Sequence, residues 1–369
     1  MVLLPYAVTD ATSALSRARR RAARPGLVPL AEAFLHHRRG RHDVMFLKEN
    51  AELLNIAECT GLGRTPALGK HYRAFHAEAP GFFAVFPQYY RFILSIVTDA
   101  EALGLPPGTG GRIAAEVAAR GLAEAELSDL HRMEARRLCA RHGVTVLKDD
   151  TTLEERVLRF VTRHQAFAVP NRKAAYDLTH FVFYFSEYGR RSPDLPGSVG
   201  KSLLNTGLIA LLEEDIDLLS EVCIALRYMG RTPPPAWEAF IASELADFSV
   251  ISEEPEDSGA LSDDYHPFLV ANWHQAVAGQ PAFARAARPG RLVFRRRPAP
   301  RNTLVELSEI LLALAQAGRL SVGALMEASA GLMSRRGRNV LASAASSTPQ
   351  FDEFLAGFCY RGRGWRGSK

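Results

Sequence analysis

The feature that most constrains this 369-residue chain is its punctuation. From residue 28 onward, apolar residues recur at helical spacing in short stretches, and most stretches close on glycine or proline. A proline inside a helix costs about 3 kcal/mol and a glycine up to about 1 kcal/mol, so such residues end helices. Asp43 to Thr60 shows the pattern. Val44, Leu47, Leu54 and Ile56 share a face, Asp43 reads as the N-cap and Gly61 as the stop. Phe82 to Leu103 reads as one long apolar helix or as two pieces broken near Pro87, closed by Gly104-Leu105-Pro106-Pro107-Gly108. Further helices are expected over Ile113–Arg120, Glu124–Arg141, Leu153–Phe167, Lys173–Tyr188, Val199–Leu212, Asp215–Met229, Pro234–Asp247 and Tyr265–Ala278. Asn302 caps an apolar helix to Ala317, and helices at 321–334, 337–344 and 350–359 follow.

Helices this short each bury one stripe and need neighbours. The expected class is all-α, built from stacked antiparallel helix pairs, either as an α/α-toroid or as an irregular helical solenoid. No strict repeat period is present. Leu292-Val293-Phe294 is the best candidate for a short strand. The composition supports a sizeable core, with 47% hydrophobic and 23% charged residues.

Charge divides the chain further. Residues 1–24 carry +4, residues 285–301 carry +7 and residues 360–369 carry +4, against a total of +5, so the body is acidic. The expected organisation is a basic flexible segment over 1–27 and a helical main domain over 28–250. Next come an acidic loop, a helix and an Arg/Pro-rich segment over 251–301. C-terminal helices packing on the main domain occupy 302–359, and a basic tail occupies 360–369. The acidic stretch Ser252–Asp264 reads as a loop able to act as a lid.

Several function classes lose support. Cys59, Cys139, Cys223 and Cys359 lie far apart, so no zinc ribbon, redox pair or secreted disulfide framework is indicated. The expectation is three buried helical thiols and one near the C-terminus. Pro5 interrupts the apolar start and the arginines follow it, the reverse of a signal peptide. The longest apolar stretch carries Gln88, Arg91, Asp99 and Glu101, too many polar groups for a membrane span. The expected location is cytoplasmic. GxxxxGK[ST], GxSxG, HExxH and a strand-borne GxGxxG are all absent.

The candidate chemistry lies in three helices. Tyr176, His180 and Tyr184 fall at i, i+4 and i+8 and share one face, which suits either a cavity or a paired helix. Asp217 and Glu221 sit one turn apart, a spacing that can share a proton or hold a divalent cation, and that also describes an ordinary acidic helix start. His266 opens a helix directly after the acidic loop, and His274 lies about two turns on. The catalytic candidates are therefore His180, Asp217, Glu221 and His266, and the ligand-binding candidates Tyr176, Tyr184 and His274. No metal ligand set and no cofactor are assigned. Glu49, Glu52 and Asn55 form a polar stripe, either a solvated face or a supporting network. Phe86 to Phe92 is dense in aromatics and reads first as packing.

The runs FLKENAELLNIAECTG (46–61), Phe83–Ser95 and GLAEAELSDLHRMEARRL (121–138) together resemble an uncharacterised alphaproteobacterial helical family. YDLTHFVFYFSEYG, EEDIDLLSEV and YHPFLVANW are similar to a motif trio of uncharacterised actinobacterial helical proteins. Neither resemblance implies an activity. The order of His-bearing, acidic and His-bearing helices is an analogy of architecture to α/α-toroid enzymes, whose DxDD motif is absent here. Three functions stay open: a non-catalytic helical scaffold or adaptor; an enzyme or small-molecule binder with a cavity lined by Tyr176, His180, Asp217, Glu221, His266 and His274; and nucleic-acid binding through the Arg-rich segments. A protein or small-molecule partner fits the first two, and the acidic body weighs against nucleic acid.

Overall fold

The computed structural model describes residues 26–41, 43–63, 66–253, 263–284, 290–297 and 301–359. In chain order the first helices are α1 (Leu27–His36), α2 (Val44–Cys59), α3 (Pro66–His71), α4 (Arg73–Val85), α5 (Tyr90–Ala102), α6 (Thr109–Ala119) and α7 (Asp129–Ala140). Then come α8 (Leu153–Val161), α9 (Arg172–Phe185), α10 (Gly197–Leu212), α11 (Ile216–Tyr228) and α12 (Pro235–Ala246). Strand β1 (Ser249–Glu253), α13 (Tyr265–Val277) and β2 (Arg291–Arg295) precede α14 (Thr303–Gln316), α15 (Val322–Leu332), α16 (Arg335–Ser347) and α17 (Phe351–Cys359). The class is all-α, with helices packed in pairs.

The local signals act as expected. Asp43 caps α2 by accepting from the Met45 N–H at 2.8 Å, and Asn302 caps α14 by accepting from the Val305 N–H at 2.9 Å. Pro87 opens a 3₁₀ turn, Pro87–Tyr89, that separates α4 from α5. The expected helix over Glu124–Arg141 starts later, at Asp129, and Leu153–Phe167 resolves into α8 and a 3₁₀ turn, His164–Ala168. The two strands pair antiparallel, Ser249 against Arg295 and Ile251 against Val293. Leu292-Val293-Phe294 is thus the core of a real strand, fully buried. Its partner β1 takes in residues expected in part to form the acidic loop. Of that loop, 254–262 lie outside the described residues.

Contacts group the chain into two compact units, each assembled from separate stretches: residues 1–149 with 249–295, and residues 150–248 with 296–369.

In the first unit, α2 and α5 pack together and form much of the core, with Leu53, Leu54, Ile93, Leu94 and Val97 buried. Glu49 and Asn55 of the polar stripe on α2 are buried as well, with Asn50 beside them. Asn50 donates to the Phe34 and Phe46 carbonyls and accepts from the Tyr72 hydroxyl at 2.9 Å. Asn55 donates to buried Asp99, which also accepts from Arg141 at 2.6 Å. Glu49 binds Arg38 through both oxygens at 2.9 Å. Arg38 also donates to Asp263 at 2.8 Å and to the Leu292 carbonyl, and it lies over the rings of Phe34, Tyr265 and Phe294 at 5.0–5.4 Å. The supporting-network alternative for Glu49, Glu52 and Asn55 therefore describes two of the three.

In the second unit, α10 is the central helix and is almost wholly buried. Trp237 of α12 lies against Gly207, where a Cβ would sit 2.2 Å from the indole. Only glycine permits that approach. At the α10–α11 corner Glu214 is held in the left-handed region at φ 56°. Its carboxylate accepts from the Thr303 N–H at 3.2 Å, the Thr303 hydroxyl at 3.0 Å and Arg336 Nε at 2.6 Å. Those bonds tie α14 and α16 to the corner and offset a strain of about 1–3 kcal/mol.

Of the expected thiols, Cys139 and Cys223 are buried, whereas Cys59 is only partly so. The Arg-rich stretches 17–24 and 361–369 lie outside the described residues. Within 285–301, Arg296 pairs with Glu244 at 3.5 Å and Arg301 pairs with Glu309.

Candidate functional site

The sequence places Tyr176, His180 and Tyr184 on one face of α9, and the fold of the second unit sets that helix against α11. Asn171 caps α9 by accepting from the Ala174 N–H, and Asp215 caps α11 by accepting from the Asp217 and Leu218 N–H groups at 3.1 and 3.2 Å. These caps fix where the two helices begin, and so which side chains meet. The Tyr176 hydroxyl donates to Asp217 Oδ2 at 2.7 Å, and the Thr179 hydroxyl donates to Glu221 Oε2 at 2.5 Å. Asp217 and Glu221 are nearly fully buried, 6% and 2% exposed, yet lie one turn apart on α11. Two buried carboxylates are thus each oriented by a hydroxyl from the neighbouring helix.

His180 stands at the rim, with about a third of its side chain exposed. Its Nδ1 lies 2.8 Å from the Tyr176 carbonyl and 3.6 Å from Glu221 Oε2. A carbonyl only accepts, so Nδ1 carries a proton, and Nε2 is the ring nitrogen left as the candidate base or ligand. Tyr184 is buried and edge-on to the His180 ring.

The electrostatics are dominated by carboxylates. Burial raises Tyr176 far above the ordinary phenol range, and Asp217, Asp215 and Glu221 push it in the same direction. Burial raises Asp215, and Asp217 adds to the shift while Arg172 opposes it. Glu213 is raised by burial and then by Asp215. Arg172 pairs with Asp215 at 3.0 Å and bonds the Tyr176 hydroxyl at 3.3 Å. Burial alone would lower it, but Asp215, Tyr176 and Asp217 more than offset that. Burial is the largest cause for Tyr176, Asp215 and Glu213, and neighbouring carboxylates add to it in each. Beside this face lies a small cleft whose walls include Phe167, Ala175, Ile209 and Leu218, with Arg172 and Glu213 also lining it. Tyr176, His180, Asp217 and Glu221 do not line it.

The other two histidines belong to the first unit. His266 lies in the first turn of α13, its Nε2 3.4 Å from Glu52 Oε1 on α2. His274 is buried on the same helix, near Gln275. Thr179 was not among the candidates, although its place three residues after Tyr176 puts it toward the same side of the helix. Nor were Arg172 and the capping role of Asp215, which the residue type just before Ile216 could have signalled.

A family model described as a domain of unknown function, DUF6902, matches residues 11–361. The chain belongs to the DUF6902 family. No curated protein and no solved structure matches it. The family carries no activity with it, so function rests on the residues. Among the described residues no helix is long and apolar enough to cross a membrane.

Proposed function

We propose that this DUF6902 chain is a cation-binding protein whose second unit takes a divalent metal ion on Asp217 and Glu221. The observation that carries this reading is the pair of buried carboxylates one turn apart, each steered by a hydroxyl of α9. Metal-ligating carboxylates are commonly oriented by hydrogen bonds of this kind, which leave the second oxygen directed elsewhere. Burial is the largest cause of the raised Tyr176 and Asp215, and the neighbouring carboxylates that add to it also favour a cation. His180 Nε2 at the rim is the group able to complete the coordination or to move a proton. The same reading places the chain in a bacterial cytoplasm, which cell fractionation checks.

The test is calorimetric titration of the chelator-treated full-length chain with Mn²⁺. Stoichiometric binding, lost in the Asp217→Asn/Glu221→Gln double variant, is the expected result. Absence of binding in the wild-type chain overturns the reading. A scaffold or adaptor function would then stand, favoured by exposed apolar side chains on α14 and α15: Val305 at 43%, Leu312 at 56% and Leu332 at 73%.

A further inference from the structure

We propose that the cleft between α9, α10 and α11 in the second unit binds a short primary alkylammonium ion, with Glu213 as the carboxylate that receives the ammonium group. Asp217 and Glu221 do not line this cleft. Tyr176 links the two places through its bonds to Arg172 and to Asp217, so the test carries variants of both.

Four elements build the apolar walls. Phe167 comes from the 3₁₀ turn His164–Ala168, Ala175 from α9, Ile209 from α10 and Leu218 from α11. All four residues are buried. The cleft encloses about 280 Å³, part of it open to solvent. Pockets for drug-sized molecules run from about 300 to 1,000 Å³, so this one suits a ligand of only a few non-hydrogen atoms.

Two charged side chains line the same space, Arg172 and Glu213. Arg172 is already committed, pairing with Asp215 at 3.0 Å and donating to the Tyr176 hydroxyl at 3.3 Å. The half-buried Glu213 carboxylate makes no hydrogen bond or ion pair among the described residues. Burial raises its proton affinity, Asp215 adds to the shift and Arg172 opposes it. Folding therefore takes water from a carboxylate at a cavity wall and brings no side-chain cation against it. Glu213 and Asp215 against Arg172 leave one negative charge over, which one ammonium ion neutralises.

The other polar groups decide which cation fits. Ca²⁺ and Mg²⁺ need about six or more oxygen ligands. Besides Glu213 the cleft offers Asn171, whose Oδ1 caps α9, and Thr206, whose hydroxyl donates to the Ser202 carbonyl at 3.0 Å. A primary alkylammonium needs less. Its N–H groups donate to Glu213 and its short chain lies on the apolar walls, where Phe167 adds an aromatic surface that favours cations.

Saturation-transfer NMR with propylammonium chloride, added to the chelator-treated full-length chain, reads binding from the ligand's own signals. The expected result is saturable transfer, with affinity falling about ten-fold in Glu213→Gln for the loss of one charge-assisted hydrogen bond. Glu213 makes no bond that the fold needs, so the variant should stay folded, which circular dichroism checks. 1-Propanol keeps the alkyl chain without the charge, and should bind wild type and Glu213→Gln alike, more weakly than propylammonium binds wild type. Absence of saturable transfer in wild type, or equal propylammonium affinity in wild type and Glu213→Gln, overturns the proposal. So does an equal loss in the Asp217→Asn/Glu221→Gln variant, which would put the ammonium on that pair and not in the cleft. Mn²⁺ titration of the same variants keeps the two sites apart. Mn²⁺ binding that survives Glu213→Gln and disappears in Asp217→Asn/Glu221→Gln upholds the metal site whatever propylammonium does, and propylammonium binding without any Mn²⁺ binding upholds the cleft alone.

Discussion

Asp215 caps α11 and pairs with Arg172, yet it is buried beside Asp217 and its proton affinity is raised. The sign of the consequence is fixed. A carboxylate whose folded value lies above its unfolded one stabilises most below the ordinary carboxylate range, and that contribution is lost as pH rises through the raised value. Asn caps helices about as well as Asp, so Asp215→Asn keeps the cap within a few tenths of a kcal/mol and removes the titration. Denaturant melts from pH 4 to 8 should show a flatter profile for Asp215→Asn, with its stability relative to wild type improving as pH rises. A variant that loses ground steadily toward pH 8 would contradict this. Arg38 gives the opposite case, a buried charge already matched. Arg38→Met leaves buried Asp263 without its cation and buried Glu49 with Arg39 alone, and should cost about 3–5 kcal/mol. Adding Glu49→Gln and Asp263→Asn to that variant should return part of the loss, which a thermal melt can read.

Helices were legible because their ends are written locally. Asp43 and Asn302 cap, and Gly61, Gly104, Gly143 and Gly230 all take positive φ where helices were expected to stop. β1 was not legible for a physical reason. It is paired on one side only, and its side chains lie toward solvent, Ile251 at 45% exposure, so no buried alternation marks it. β2 was legible because its three apolar residues are buried. The candidate site was legible in parts. Each helix face could be read, but the pairing of α9 with α11 places Tyr176 against Asp217 across 41 residues, with α10 between them in sequence. No local period encodes such a contact. Nor does a sequence show that Gly207 exists to admit an indole. Gly207→Ala would drive a methyl into Trp237 and should cost about 1–3 kcal/mol by thermal melt, despite the better helix propensity of alanine. Trp237→Leu in the same chain should recover part of that loss if the clash is the cause.

Each unit is closed by a stretch of chain far from the rest of it. In the second unit α10 is covered by α11 and by α16, and the α10–α11 corner is held by Thr303 and Arg336. Gln350 also donates to the Lys201 carbonyl at 3.0 Å, reaching α10 from beside α17. The segment from Arg296 onward therefore covers a helix whose buried residues include Leu203, Leu208, Leu211 and Leu212. Each such side chain gains about 1.5–3 kcal/mol by burial, so uncovering several of them exceeds the whole margin by which a domain is folded. A chain ending at Arg295 should lose more helical ellipticity than the missing helices account for, because α8 to α12 lose their cover. Supplying residues 296–369 as a separate chain should restore part of the signal if the contacts themselves are what matter. A shortened chain that keeps the full helicity of α8 to α12 and melts cooperatively would show instead that α10 is stable without this cover, and that Glu214 holds its left-handed conformation without Thr303 and Arg336.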